Sequence, residues 1–304
     1  MKFKSSVLAL SVGIVMGGTV IASDANAGVL GSSVFEISDF FLVDSAGNQV
    51  GNRVSVISDN RNGELAVGLN GVSTGNTGNA AGNTTLNIAP VLLGSNPGLA
   101  DNSTNILADG SGTFSRSDLY VSGTVFGTGG QGLTRSDAYA LSGDNQGNAN
   151  ATIANNVLAT YTIVVGDGGL ADVGFSLDAD VYLKAFISSD LYNTGSSANA
   201  SISFSIDVAD IAGNSILHWS PTQLNRGVTA FDSAGFADVG GFTSYTGLNS
   251  GFFDIASGAY TVTIQQKSTA RELAVNSNEV PEPGILALLS LGLLGMGAGF
   301  RKRS

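Results

Sequence analysis

Polar and apolar residues alternate with a period of two through much of this chain. The longest such run is 173–187, where Phe175, Leu177, Val181, Leu183, Ala185 and Ile187 share one face and mostly polar residues oppose them. Shorter runs of the same kind occur at 34–43, 54–57, 119–126, 157–165, 202–208 and 260–264. Successive side chains of a strand point to opposite faces, so the alternation predicts half-buried strands in antiparallel sheets. Gly47-Asn48, Asn62-Gly63, Asn70-Gly71 and the glycines of 166–169 supply turn chemistry between the runs. No stretch of the body carries a helical period of useful length. The expected fold class is therefore all-β, an antiparallel β-sandwich of jelly-roll type.

Two stretches read differently. Segments 71–89 and 141–156 are dense in Gly, Asn, Thr and Ser, and are expected to be long surface loops or polar rungs of a solenoid. Arg116-Ser117-Asp118 recurs as Arg135-Ser136-Asp137, and Ser117-Asp118-Leu119-Tyr120 recurs as Ser189-Asp190-Leu191-Tyr192. No fixed period joins these echoes, so a regular repeat array is not supported.

The two ends break the pattern. Lys2 and Lys4 precede an apolar run over 7–21, and Ala25-Asn26-Ala27 is a small-x-small cleavage site. This is the form of a secretory signal peptide, 1–27, with Gly28 as the expected first mature residue and signal peptidase as a partner in export. At the other end Val280-Pro281-Glu282-Pro283 runs into an uncharged apolar stretch, 284–300, and Arg301-Lys302-Arg303 follows. A helix over 284–300 reaches about 25 Å, near the lower limit for a bilayer span, and in lipid a helix satisfies its own backbone. The basic cluster is expected to stay cytoplasmic as a stop-transfer signal. Three regions result: the signal peptide 1–27, a β body 28–275, and a linker with a membrane tail, 276–304.

That tail resembles the PEP-CTERM sorting signal found on exported proteins of many Gram-negative bacteria. The resemblance rests on Val280, Pro281, Glu282 and Pro283, the apolar span, and Arg301, Lys302 and Arg303. It covers only about a tenth of the chain. It implies recognition of Pro281, Glu282 and Pro283 by an exosortase, a membrane-embedded processing enzyme. It further implies transient anchoring in the inner membrane, then delivery to the cell surface or outside, often where exopolysaccharide is made. It transfers a route and no activity, since such tails sit on unrelated domains.

Charge agrees with export. Setting aside Asp24 and Glu282 from 24 acids, and Lys2, Lys4, Arg301, Lys302 and Arg303 from 13 bases, leaves 22 acids against 8 bases, near −14. Such a surface repels phosphate backbones, so nucleic acid is not expected as a partner. The absence of Cys excludes disulfides, thiol nucleophiles and thiolate metal sites.

Candidate chemistry is sparse. His218 is the sole histidine, stands beside Trp219, and has no Gly-x-Ser-x-Gly elbow to serve. It reads as a structural residue at a strand end. Asp178 and Asp180 share a strand face, and Asp207 and Asp210 lie near a strand end, so either pair offers the two carboxylates of a glycosidase. Chance pairs are expected among 22 acids. Asp144, Asp167, Asp172, Asp178 and Asp180 are the acids considered for structural calcium, but none fits an EF-hand, and Gly129-Gly130-Gln131-Gly132 starts a calcium nonapeptide that fails at Thr134. Trp219, Tyr120, Tyr139, Tyr192 and Tyr245 are the aromatics considered for sugar stacking. No catalytic residue, metal ligand or cofactor is assigned. The expected function is a non-enzymatic surface or matrix protein associated with exopolysaccharide; the alternative is a secreted carbohydrate-binding or glycan-cleaving sandwich.

Overall fold

The computed structural model describes residues 28–107, 112–141, 148–188, 191, 195–231 and 237–275. The expected signal peptide, Ala25 and Ala27 of its cleavage site, and the expected linker and tail all lie outside the described residues. Among the described residues no helix is long and apolar enough to cross a membrane.

The described residues form two antiparallel sheets of seven strands each. In chain order the strands are β1 (Gly28–Asp44), β2 (Val54–Leu69), β3 (Val72–Ala81), β4 (Leu86–Gly94), β5 (Phe114–Ser122), β6 (Gly130–Leu141) and β7 (Asn148–Val165). They continue with β8 (Leu170–Ile187), β9 (Ser197–Asp210), β10 (Ser215–Trp219), β11 (Arg226–Phe231), β12 (Ala237–Asn249), β13 (Phe253–Ile255) and β14 (Gly258–Val275). The first sheet runs β12-β8-β1-β6-β5-β4, with β13 also on β8. The second runs β10-β9-β14-β7-β2-β3, with β11 also on β9. The all-β, two-sheet expectation holds, but the connectivity departs from a jelly roll. β4, β5 and β6 form a meander inside one sheet, and β2–β3 and β9–β10 are hairpins inside the other. Hydrophobic alternation fixes faces and not strand order, so this difference was not readable from it.

Two further expectations are corrected. The polar segment 71–89 is not a loop: most of it is β3 and the start of β4, and 148–156 of the second polar segment belongs to β7. Asn70 and Gly71 take positive φ, 50° and 81°, and close a two-residue hairpin between Leu69 and Val72. β3 then pairs with β2 through its backbone and leaves most of its side chains in water, with only Ala80 packed on an apolar cluster, so it needs no continuous apolar face. Asn62-Gly63 is not a turn but lies inside β2, where a Cβ on Gly63 would press on Ile88 and Leu119 of the opposite sheet.

β1 shows how the core is arranged. Its inward set shifts from Phe35 and Ile37 to Phe40 and Leu42 because a bulge at Asp39, φ 48°, inserts one extra residue against both neighbouring strands. The shift places Phe40 edge-on to Phe175 and Phe204, with ring centroids 6.0 Å from each, at the centre of the main apolar cluster. Farther along, the inner face turns small and polar. Ser33, Ser117, Thr134, Ser136 and Ser268 are fully buried there. Ser136 and Ser268 hydroxyls meet at 2.9 Å across the sheets, and Ser33 donates to the Thr269 carbonyl at 3.0 Å. The backbones approach so closely that a Cβ on Gly31 would lie 2.6 Å from the Asn199 carbonyl oxygen.

Candidate functional site

Residues i and i+2 of a strand share a face. Arg116 therefore reaches Asp118 on β5, at 2.8 Å, and Arg135 reaches Asp137 on β6. The antiparallel register sets Arg116 across from Asp137 and Asp118 across from Arg135. The two Arg-Ser-Asp echoes are thus one buried quartet of alternating charge, on the outer face of the first sheet. Ser32 of β1 donates to Asp137 at 2.5 Å. Remaining guanidinium donors reach the segment leading into β5: Arg116 bonds the carbonyls of Leu99 and Ala100, and Arg135 those of Ser103 and Asn105, at 2.6–2.8 Å. Arg61 repeats the device on β2. It pairs with Asp59 at 2.7 Å and bonds the carbonyls of Thr84 and Gly123. Burial pushes Asp118 up to about 6, outweighing the pull of Arg116 and Arg135. The network fastens loops to strands; its charges compensate one another internally.

The acids singled out from the sequence do not converge. Among the described residues no group of three His, Asp or Glu side chains is placed to hold a metal. Asp178 accepts the Gly247 N–H at 2.7 Å. Asp180 sits directly across from Glu36 of β1, a pair not visible in the linear order because it joins distant strands. Partial burial raises the Glu36 pKa, and the charge of Asp180 raises it further. Asp210 closes a hairpin by accepting the N–H groups of Ala212 and Asn214, each at 2.8 Å. Asp44 does the same with Ala46 and Asn48, at 3.0 and 2.8 Å. Asp44–Asn48 and Asp210–Asn214 share the pattern Asp-x-Ala-Gly-Asn, which sequence reading missed. In each, hydrogen bonds led by the Asn side chain hold the carboxylate below its ordinary pKa.

His218 is on β10 with an exposed ring, its Nδ1 2.6 Å from Asp207 across the β9–β10 hairpin. Trp219 is half-buried and packs edge-on to Phe204 at 5.8 Å. Tyr139 is buried and stacks on Phe114, and Tyr245 is half-buried under the Arg226 guanidinium. Tyr120 is half-buried beside Leu133. Asp144 and Tyr192 lie outside the described residues. Among the described residues the exposed phenylalanines are instead Phe231, Phe242 and Phe252.

Of the processing residues only Gly28 is described. It opens β1 in a buried position, its N–H donating to Ser188 Oγ at 3.0 Å, and any side chain there would overlap the Tyr139 hydroxyl. Val280, Pro281, Glu282, Pro283, Arg301, Lys302 and Arg303 lie outside the described residues, beyond the end of β14 at Val275.

No curated protein and no solved structure matches the chain. A family model described as the PEP-CTERM protein-sorting motif matches residues 279–303. By that C-terminal signal, which implies export to the cell envelope or surface, the chain is a PEP-CTERM motif-containing protein.

Proposed function

We propose that this is a non-enzymatic protein of the cell surface or extracellular matrix, processed by an exosortase and associated with exopolysaccharide. The sorting motif at 279–303 carries the reading. The acidic body adds support, because it suits an extracellular protein that must stay dispersed. Signal peptidase is expected to cut after Ala27, and the 284–300 span to hold the precursor in the inner membrane until the tail is removed.

Intact mass by cell fraction tests the route. The native protein should end near Pro281–Pro283 in the surface or medium fraction. A Pro281→Ala, Glu282→Ala variant should keep Phe300 and Arg301 and stay with the membrane. A wild-type mass that still includes Arg301 would overturn exosortase processing. Deleting the gene should alter floc or biofilm properties; unchanged properties would remove the matrix role.

A second reading, a glycan-cleaving sandwich, is favoured by one observation. Glu36 has a raised pKa and faces a second carboxylate, Asp180. A reducing-sugar assay on wild type and Glu36→Gln tests it. Release that disappears in the variant supports cleavage, and no release from any glycan removes it.

A further inference from the structure

We infer that the outer face of the second sheet, where β11, β9 and β14 lie side by side, is a binding groove for a segment of anionic polysaccharide. The inference rests on the reading that the protein works among exopolysaccharide, and it names the surface and the charge of the glycan.

The groove has a volume of ≈ 730 Å³ and is partly open to solvent. Its chemistry follows from strand alternation. On β14, Lys267, Thr269 and Arg271 face outward, while Glu272 turns to the inner face and is buried. Lys267 and Arg271 are four residues apart on one face, which places their Cα atoms about 14 Å apart along the strand. On the neighbouring strands Asn199 and Thr229 stand opposite one another in register, their side chains hydrogen-bonded at 2.8 Å. Phe231, at the end of β11, is 61% exposed and borders the same groove. The floor therefore offers cations at two positions, neutral hydroxyl and amide groups between them, and an apolar platform at one end. Those are the contacts of a carboxylated sugar chain: charge-assisted bonds to its acids, hydrogen bonds to its hydroxyls, and a ring face for stacking.

Charge distribution selects the anion. The body carries only 8 bases against 21 acids. Arg61, Arg116 and Arg135 are buried in ion pairs. Lys184 lies over the Phe186 ring and Arg226 over Tyr245, away from this groove. Among the described residues neither Lys267 nor Arg271 takes part in an ion pair. Two of the few outward cations thus share one groove, and Glu272, which also borders it, turns its side chain to the inner face and is only 3% exposed. On the same sheet, a second groove bordered by Asn62, Thr77 and Asn156 carries Glu64, and its charge turns an anionic chain away.

The test uses the processed protein purified from its host, wild type and Lys267→Gln/Arg271→Gln, titrated with polygalacturonate, with neutral dextran and with a duplex DNA of equal charge. Wild type should bind polygalacturonate in a salt-sensitive manner and prefer it to both controls. The double variant should lose at least tenfold in affinity, whereas Arg53→Gln, an exposed cation outside the groove, should bind as wild type does. Equal affinity in wild type and double variant would overturn the groove. Equal affinity for DNA and polygalacturonate would overturn the sugar assignment in favour of bare charge. Co-sedimentation with the host's own exopolysaccharide separates the two levels of the proposal. Co-sedimentation that the double variant retains sinks the groove and spares the matrix reading. Polygalacturonate binding without co-sedimentation sinks the matrix reading and spares the groove.

Discussion

Glu36 and Asp180 face each other across β1 and β8 with like charges, an arrangement that costs stability. Because the Glu36 pKa is raised above its ordinary 4.5, its contribution to folding is complete below that value and is lost as pH rises through the folded pKa. Asp118 acts in the same sense between its ordinary 3.8 and about 6. Asp44 and Asp210 act in the opposite sense. Their lowered pKa values give stability that is present above 3.8 and lost as pH falls further. Asp118 loses stability from 3.8 upward and Asp44 and Asp210 lose it below 3.8, so the four groups together place the maximum of stability near the ordinary carboxylate values, about pH 4. Urea midpoints measured from pH 3 to 8 in dilute protein should fall on both sides of that maximum. Glu36→Gln should raise stability at pH 7 by about 0.5 kcal/mol, the scale of a half-exposed cross-strand pair, and should have almost no effect at pH 4. An unchanged difference across that range would show that the pair carries no such coupling.

At the scale of elements, the interior combines an aromatic half with a seam of Ser, Thr, Ala and Gly where the sheets nearly touch. A methyl group on Gly31 has nowhere to go, since backbone oxygens of Asn199 and Arg271 lie 2.6 and 2.7 Å from its position. Gly31→Ala should therefore cost about 1–3 kcal/mol by overpacking, read from denaturant unfolding. The arginine clamps give a sharper contrast. Arg135→Met leaves Asp137 charged and buried without its ion-pair partner, a loss of about 3–5 kcal/mol, whereas Arg135→Met with Asp137→Leu should recover most of it. These elements also show what sequence could reveal. The long alternating runs that became β8, β9 and β14 were legible because one face is apolar and the other polar throughout. β3 was not, because an edge strand paired through its backbone has no need of an apolar face. The Arg-Ser-Asp echo was visible as letters, but its meaning required the β5–β6 register, which sets one tripeptide against the other in reverse. Glu36 with Asp180, and Asn199 beside β14, are likewise products of pairing between strands remote in sequence. The sorting signal was fully legible because its recognition depends on contiguous residues and not on a fold.

Taken whole, the molecule keeps most of its acids outward and hides much of its positive charge, and this bears on a free edge. β3 ends the second sheet with ten residues that carry no charge and no Pro, the features that ordinarily guard an edge against pairing with another chain. Protection at neutral pH then falls to the net negative charge of the whole body, which makes close approach of two copies unfavourable. That protection is conditional. The isoelectric point of the 304-residue sequence is ≈ 4.3, and a chain without Arg301, Lys302 and Arg303 would have a lower one. As pH falls toward it the repulsion fades while the edge remains. Light scattering on the processed protein at high concentration should show monomers at pH 7 and growing assemblies as pH approaches 4. Thr77→Lys, a charge placed in the middle of β3, should shift that onset to lower pH, and a lysine on the opposite edge, at Ser215 of β10, should not. Assembly that begins at the same pH in all three proteins would assign association to net charge alone and remove β3 as its seat.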